Sequence, residues 1–401
     1  MYMQGPLNLN RLAWAFNQAL QRNDAFRTCF VSDPDGPGQP IQAITKSPRV
    51  CFEAVKVADK AAADQGFKDL ERYEYDIATG DTLKIVDFYW SPTDHLLIIA
   101  YHRLAGQLYS GVQLEPAPSY ADYSTRQRSQ LESGGFNKDL DYWAGLFETL
   151  PTRLPLLSVP EAQASATPTS WTEHELSARL NRMVAVRIRD RSRKHKVTPM
   201  HYYLASFHVL LARLTGSTDV VIGVADTNRP TLTDQATMGF FANILPVRLD
   251  YASDKIFNEI LVAVKEQMRT AILHSAVPHG AILNRLGLSA PSAKQPHSHA
   301  PLFQAVFDYK QGQAESGSIG EAKIVDARTP RAGSPYDITL EMSDDPSKDP
   351  LITVKLQKER YGSKDAEVVM DAYLSILSIF SRNPALRVED GRLNQGAKAR
   401  A

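Results

Sequence analysis

Two mixed α/β subdomains are predicted for this sequence, from three observations. The chain has 401 residues, and a single hydrophobic core usually stops growing at roughly 250–300 residues. Short β-rich runs alternate with amphipathic helical patterns along its length. Between them, Pro151, Pro155, Pro160 and the small polar stretch Ala162 to Ser170 interrupt both periodicities and read as a linker. The expected organisation is an amino-terminal subdomain over 1–160, a linker over 161–172, a carboxyl-terminal subdomain over 173–385 and a linker-like tail over 386–401.

In the first subdomain, Leu7 to Arg22 places Leu12, Ala15, Phe16, Ala19 and Leu20 at helical spacing behind Asn8 and Asn10, residues suited to start a helix. Phe26 to Val31 is extended. Strands are predicted at Phe52 to Val57, Thr82 to Trp90 and His95 to Tyr101, with a charged helix around Ala61 to Arg72. The run His95-Leu-Leu-Ile-Ile-Ala-Tyr101 lacks alternation, which predicts a strand covered on both faces. A helix around Lys138 to Leu150 leads into the linker.

In the second subdomain, Glu175 to Arg189 and Pro199 to Leu214 read as helices, followed by a β-branched strand, Asp219 to Val224. Asn243 to Leu249 and Leu302 to Asp308 are strand patterns, and Phe257 to Ala271 is helical. Tyr336 to Met342 and Leu351 to Leu356 complete the strands before a closing helix, Ser363 to Ser381. Residues 312–320 and 386–401, rich in Gly, Ser, Gln and charge, read as a flexible loop and the tail.

Composition narrows the function classes. Hydrophobic residues make up 43% and charged residues 22%, enough to fill ordinary globular cores. Lys and Arg number 45, as do Asp and Glu, and the pI is about 7.2, so no global field favours nucleic acid or anionic lipid and neither is expected as a partner. Cys29 and Cys51 are too few for a disulfide framework and have no zinc-site spacing. A reducing, cytoplasmic setting is expected. The start, MYMQGPLNLN, lacks the order of a secretion signal, and no run approaches the roughly 18–20 apolar residues of a membrane span. His297 with His299 and His274 with His279 have no nearby set of Cys or acidic residues to complete a metal site, so no metal is expected. The basic cluster Arg191 to Lys196 reads first as a solvated face, with contact to an acidic carrier protein as the alternative.

His102 directly follows the apolar strand, where a rigid element can hold one imidazole at a cavity edge. A neutral imidazole can accept a proton from an attacking amine or alcohol near pH 7, assistance worth about 10²–10⁴ in rate. From position alone a hydrogen-bonded structural histidine is the commoner reading.

Several separated segments resemble, in order, the signature motifs of nonribosomal peptide synthetase condensation domains. Arg22-Asn-Asp-Ala-Phe-Arg-Thr-Cys-Phe30 resembles RHExLRTxF, and Tyr101-His-Arg-Leu-Ala-Gly106 falls where the active-site HHxxxDG belongs. Tyr120-Ala-Asp-Tyr123 matches YxDY. Thr227-Asn-Arg-Pro230 resembles the NRP segment, and Met238-Gly-Phe-Phe-Ala-Asn-Ile-Leu-Pro-Val-Arg248 is similar to GxFVNTLPLR. His274-Ser-Ala-Val-Pro-His279 is a weakened HQDVPFE, and Pro301-Leu-Phe-Gln-Ala-Val-Phe307 resembles PLFQVMF. Phe307 to Gln311 and Ser334-Pro-Tyr-Asp-Ile-Thr-Leu-Glu341 look most like condensation domains at the carboxyl end of fungal highly reducing polyketide synthases and polyketide-peptide hybrids, the lovastatin nonaketide synthase type.

The resemblance implies two chloramphenicol-acetyltransferase-like subdomains arranged as a V-shaped pseudo-dimer with a central tunnel. Substrates would arrive on the phosphopantetheine arms of acyl or peptidyl carrier protein domains, with neighbouring megasynthase domains as further partners and no cofactor bound by this domain. His102 would be the catalytic base or positioning group. Ser334 and Tyr336 would line the tunnel, and Asn243 and Arg248 would hold the crossover between subdomains. Tyr101 stands in place of the first motif His and Gly106 in place of its Asp. Gly106 also runs straight into Gln107-Leu-Tyr-Ser-Gly111, where the family places the rest of the turn and about three helical turns first, so a segment is inferred to be missing. The expected function is joining a carrier-bound acyl thioester to an amine or alcohol; the alternative is an impaired relic that docks carrier or neighbouring domains.

Overall fold

The computed structural model describes residues 1–32, 40–49, 52–71, 73–101, 119–157, 172–237, 239–250, 254–288, 302–312, 318–326, 334–345 and 348–390. The chain forms two compact units. One comprises Met1–Gly135, Arg229–Phe241 and Ala314–Pro330; the other comprises Phe136–Asn228, Ala242–Gln313 and Arg331–Ala401.

The first unit opens with β1 (Tyr2–Gln4) and α1 (Leu9–Arg22), whose amino terminus is capped by the Asn8 side chain accepting from the Arg11 N–H at 2.9 Å. A 3-10 turn at Asp24–Arg27 leads into β2 (Thr28–Ser32) and β3 (Pro40–Ile44), an antiparallel pair. Next come β4 (Phe52–Lys56), α2 (Lys60–Glu71), β5 (Leu83–Tyr89) and β6 (Asp94–Tyr101). Then α3 (Tyr120–Glu132) follows, a helix with no buried residue and so no apolar stripe by which a sequence reading could find it.

The chain then builds the second unit with α4 (Asn137–Leu146), β7 (Glu173–Arg179), α5 (Arg182–Lys194), α6 (Pro199–Thr215) and β8 (Asp219–Asp226). It returns to the first unit for α7 (Leu232–Ala236), then resumes the second with β9 (Asn243–Asp250), α8 (Phe257–Leu273), α9 (His279–Arg285) and β10 (Ala305–Gln311). β11 (Ser318–Ile319) and β12 (Ala322–Asp326) again belong to the first unit. The second unit ends with β13 (Ile338–Asp344), β14 (Leu351–Gln357) and α10 (Ser363–Arg382).

Each unit carries a six-stranded sheet, ordered β11-β12-β1-β6-β5-β4 in the first and β7-β14-β13-β10-β8-β9 in the second. In the second, α6 is buried all round, Tyr202 through Leu211 all being buried with Ser206 and His208 among them, so it is a core helix rather than a surface one. Each fully buried Leu or Phe there stabilises the unit by about 1.5–3 kcal/mol.

Four expectations change. The boundary at 160 becomes a division at 135, because Trp143, Phe147, Leu154 and Leu156 fill the core of the second unit. Two later segments also return to the first unit, a chain crossing that leaves no composition signal. The helix expected over 175–189 is a strand through Arg179, where Leu176 and Ala178 alternate inward, and the helix starts only after the Asn181 cap. The loop expected over 312–320 ends as β11. The predicted linker lies outside the described residues except Thr172, and of the tail only 386–390 is described: Val388 is buried and its N–H bonds Lys255 O at 2.8 Å, so this stretch is packed.

Candidate functional site

The strand that leads to the motif histidine is firmly held. β6 bonds β1 on one edge and β5 on the other, with Tyr101 opposite Leu83. Leu97 and Ile99 pack with Leu12, Phe16 and Leu20 of α1, while Leu96, Ile98 and Ala100 pack with Ala63, Phe67 and Leu70 of α2. This double cover explains the unbroken apolar run. At its start, His95 Nδ1 lies 2.9 Å from Asp87 Oδ2, both buried; burial pushes the Asp87 carboxyl up and His95 pulls it back. His102 and Gly106 lie outside the described residues, as does the rest of that segment to residue 118.

Three motifs meet within the first unit. The Tyr120 hydroxyl donates to Phe240 O at 2.8 Å, and the Tyr123 and Phe241 rings are 4.2 Å apart. Arg229, from the Asn-Arg-Pro segment, places its guanidinium 4.2 Å from the Phe241 ring centre. Its Nη1 donates to the carbonyls of Asp234 and Thr237, and its Nη2 to Gly239 O at 3.0 Å. One planar cation thus closes the 229–241 loop on three carbonyls. Burial raises Tyr120 to about 12, with Tyr123 adding to the rise and Arg229 opposing it, so its hydroxyl remains a donor at physiological pH.

Asn243 and Arg248 act within the second unit, both from β9. Asn243 Nδ2 donates to Ser275 O at 3.0 Å and Val277 O at 2.8 Å, and its Oδ1 accepts from the N–H of His279. These three bonds hold the 274–279 turn. Arg248 grips Asp219 through two nitrogens at 2.9 and 2.7 Å and donates to Leu146 O and Thr149 O, capping the end of α4. The start of α4 is held by Asp139, 2.7 Å from His274 Nδ1, while Tyr142 stacks on that imidazole with ring centres 4.0 Å apart. His279 is a partly buried ring against Phe303, pushed by burial down to about 4, hence neutral at physiological pH.

Ser334 and Tyr336 sit beside the sheet of the second unit. Ser334 Oγ accepts from the Tyr336 N–H at 3.3 Å, and the Tyr336 ring stacks on Phe303 with centres 5.4 Å apart. The Ser334 backbone also bonds Glu173, a residue no sequence motif singles out. Burial lifts the Glu173 carboxyl to about 7; Lys355 opposes the rise, Glu341 adds to it, the Ser334 bond opposes it and Glu175 adds to it. Its Oε1 is buried and has no hydrogen-bond partner among the described residues. Among the described residues, no three His, Cys, Asp or Glu side chains are grouped to hold a metal; His297 and His299 lie outside them.

With two braced loops and the strand before His102 in place, the family comparison is decisive. The condensation-domain family model matches residues 1–105 and 106–400. The chain belongs to the condensation-domain family. Compactin nonaketide synthase of Penicillium citrinum is 47% identical over 419 residues, covering 97% of this chain and 14% of that protein. Lovastatin nonaketide synthase of Aspergillus terreus is 47% identical over 416 residues, again 97% and 14%. The hybrid synthetase ACE1 of Pyricularia oryzae is 31% identical over 404 residues, covering 96% of this chain and 10% of that protein. This condensation domain therefore spans about 14% of the length of the two nonaketide synthases.

The solved condensation domain of the monacolin K polyketide synthase MokA superposes with a TM-score of 0.89 at 45% identity, over 97% of this chain and 92% of that one. The first condensation domain of the calcium-dependent antibiotic synthetase gives 0.76 at 16% identity, over 98% of this chain and 92% of that one, a shared fold. The two parts of the family match meet between Ala105 and Gly106, inside the segment that departs from HHxxxDG. The 419- and 416-residue alignments also exceed the 401 residues of this condensation domain, so both synthases have residues with no counterpart here.

Proposed function

We propose that this domain joins a carrier-bound acyl thioester to an amine or alcohol acceptor, with His102 as the base or positioning group. The observation that carries this reading is the family match over both halves of the chain, with His102 in the second histidine position of the active-site motif. In the proposed reaction the acceptor nitrogen or oxygen attacks the thioester carbonyl. Its proton passes to His102 Nε2 and then to the departing thiolate, so an amide or ester and a free pantetheine thiol are formed. Holding two tethered reactants in one place contributes more than proton transfer, since effective molarities reach about 10⁵–10⁸ M. We assign Ser334 and Tyr336 to the substrate-facing surface, and Asn243 and Arg248 to bracing it.

The substrates are proposed to arrive on phosphopantetheine of a carrier domain, with neighbouring synthase domains as partners and the cytoplasm as the setting. Among the described residues no helix is long and apolar enough to cross a membrane. The test is acyl transfer from a synthetic pantetheine thioester to a panel of amines and alcohols, followed by mass spectrometry. Product that disappears in His102→Ala supports the assignment; undiminished product rejects it.

A further inference from the structure

Helix α5 presents a face that the proposed reaction does not use. From Arg182 to Lys196 every Asp, Glu, Lys or Arg is a cation except Asp190, in a chain whose formal net charge is zero. Two of these cations turn inward and fasten the helix. Arg189 Nη2 donates to Asp344 Oδ1 at 2.6 Å, and Arg191 donates to the carbonyls of Ser381 and Arg382 at the end of α10. The remaining ones point away from the core.

Successive residues advance by about 100° around a helix, which sets Met183, Val186 and Asp190 along the middle of the outward face. Arg182 and Arg193 flank that strip on one side and Arg187 and Lys194 on the other. Met183 is 58% and Val186 41% exposed, an apolar strip between two basic rows. Arg182, Arg187 and Lys194 have no ion-pair partner among the described residues, and Arg193 has only Asp190 at 3.4 Å, both well exposed. The local potential registers on His195, whose imidazole is pushed down by burial, then by Lys194 and Arg191. Like charges one helical turn apart, such as Arg187 with Arg191 and Arg189 with Arg193, also oppose helix formation. An acidic partner would relieve that repulsion, and the Arg189 and Arg191 anchors, both partly buried, hold the face in place.

We propose that this face of α5 docks the acidic helical surface of a carrier protein domain, Met183 and Val186 filling the centre of the contact and the four flanking cations pairing with carboxylates around it. The proposal rests on the acyl-transfer reading for its choice of partner. Docking is nevertheless read without turnover, so loss of the His102 chemistry leaves the measurement intact.

The test titrates a holo acyl carrier protein into the 401-residue chain by calorimetry at low and high ionic strength. Arg187→Glu with Lys194→Glu should weaken binding by about tenfold or more and flatten its salt dependence. The milder pair Arg187→Gln with Lys194→Gln should fall between, with circular dichroism confirming the fold, and Lys68→Glu on α2 should match the parent. Equal affinity in the parent and both double variants would overturn the proposal. So would binding to phosphatidylserine vesicles that the charge reversal abolishes while carrier affinity stays unchanged. Transfer from a soluble thioester that survives while carrier binding ignores α5 would remove this inference alone and leave the proposed reaction standing.

Discussion

The ring of Tyr120 occupies the space where a side chain on Gly239 would be: a Cβ there would come within 2.1 Å of Tyr120 Cδ2. The same tyrosine reaches over that residue to bond Phe240 O. Gly239→Ala must therefore push the ring away or shift the loop, and overpacking of this kind costs about 1–3 kcal/mol. The expected result is a lower denaturation midpoint, with faster hydrogen exchange confined to residues 229–241. In combination with Tyr120→Ala the two losses should be markedly less than additive, since each removes the cause of the other.

Arg229 closes that loop from its other side, with three carbonyls and the face of Phe241 satisfied by one guanidinium. A lysine keeps the charge but is a point donor on a flexible stem and cannot serve three acceptors in a plane. Arg229→Lys should cost about 2 kcal/mol in denaturant unfolding, and Arg229→Ala more, because the buried carbonyls are left unpaired. Equal stability of the lysine variant would show that charge alone holds the loop.

These two sites show what could be read from sequence and what could not. Tyr120 to Tyr123, Asn-Arg-Pro and Met238 to Arg248 stand out as motifs, yet only the fold reveals that the first and second meet the Gly239–Phe241 stretch in one cluster while Asn243 and Arg248 work in the other unit. The strand before His102 was legible because a run covered on both faces loses alternation, a local property. Chain crossings at 229 and 314 are not local and leave no periodicity. α3 was illegible for a related reason: with no buried residue it has no stripe. Glu173 escaped notice because its meaning depends on Lys355, Glu341 and Ser334, residues brought to it by the second sheet and its adjoining turn.

Glu173 makes a pH prediction with a definite sign. Its carboxyl is raised from 4.5 to about 7 in the folded protein, burial being the first cause. Between those values the unfolded chain has released the proton that the folded one keeps, so this group's contribution to stability is full below pH 4.5 and is lost as pH rises through about 7. Glu173→Gln removes the dependence. The variant should gain on the parent by about 1–2 kcal/mol between pH 5 and pH 8, a figure reduced for partial exposure. Thermal unfolding of both proteins across that range checks it, and parallel curves would refute the assignment.

The junction at Ala105 and Gly106 yields the most direct prediction about catalysis. The family match divides there, and both nonaketide synthases have residues with no counterpart in this chain. An imidazole presented from the end of a rigid strand is still oriented by the turn that follows it, and a misplacement of about 1 Å at a reacting group can cost 10²-fold in rate. Inserting an Asp-Gly turn and about three helical turns between Ala105 and Gly106 supplies the acidic position of the HHxxxDG motif and lengthens the turn, so acyl transfer should rise by about 10²-fold over the parent chain. In that background His102→Ala should return the rate to the parent level or below. If the insertion leaves transfer unchanged, the turn does not orient the histidine. A rise that persists in the His102→Ala background would instead assign the gain to the inserted residues themselves.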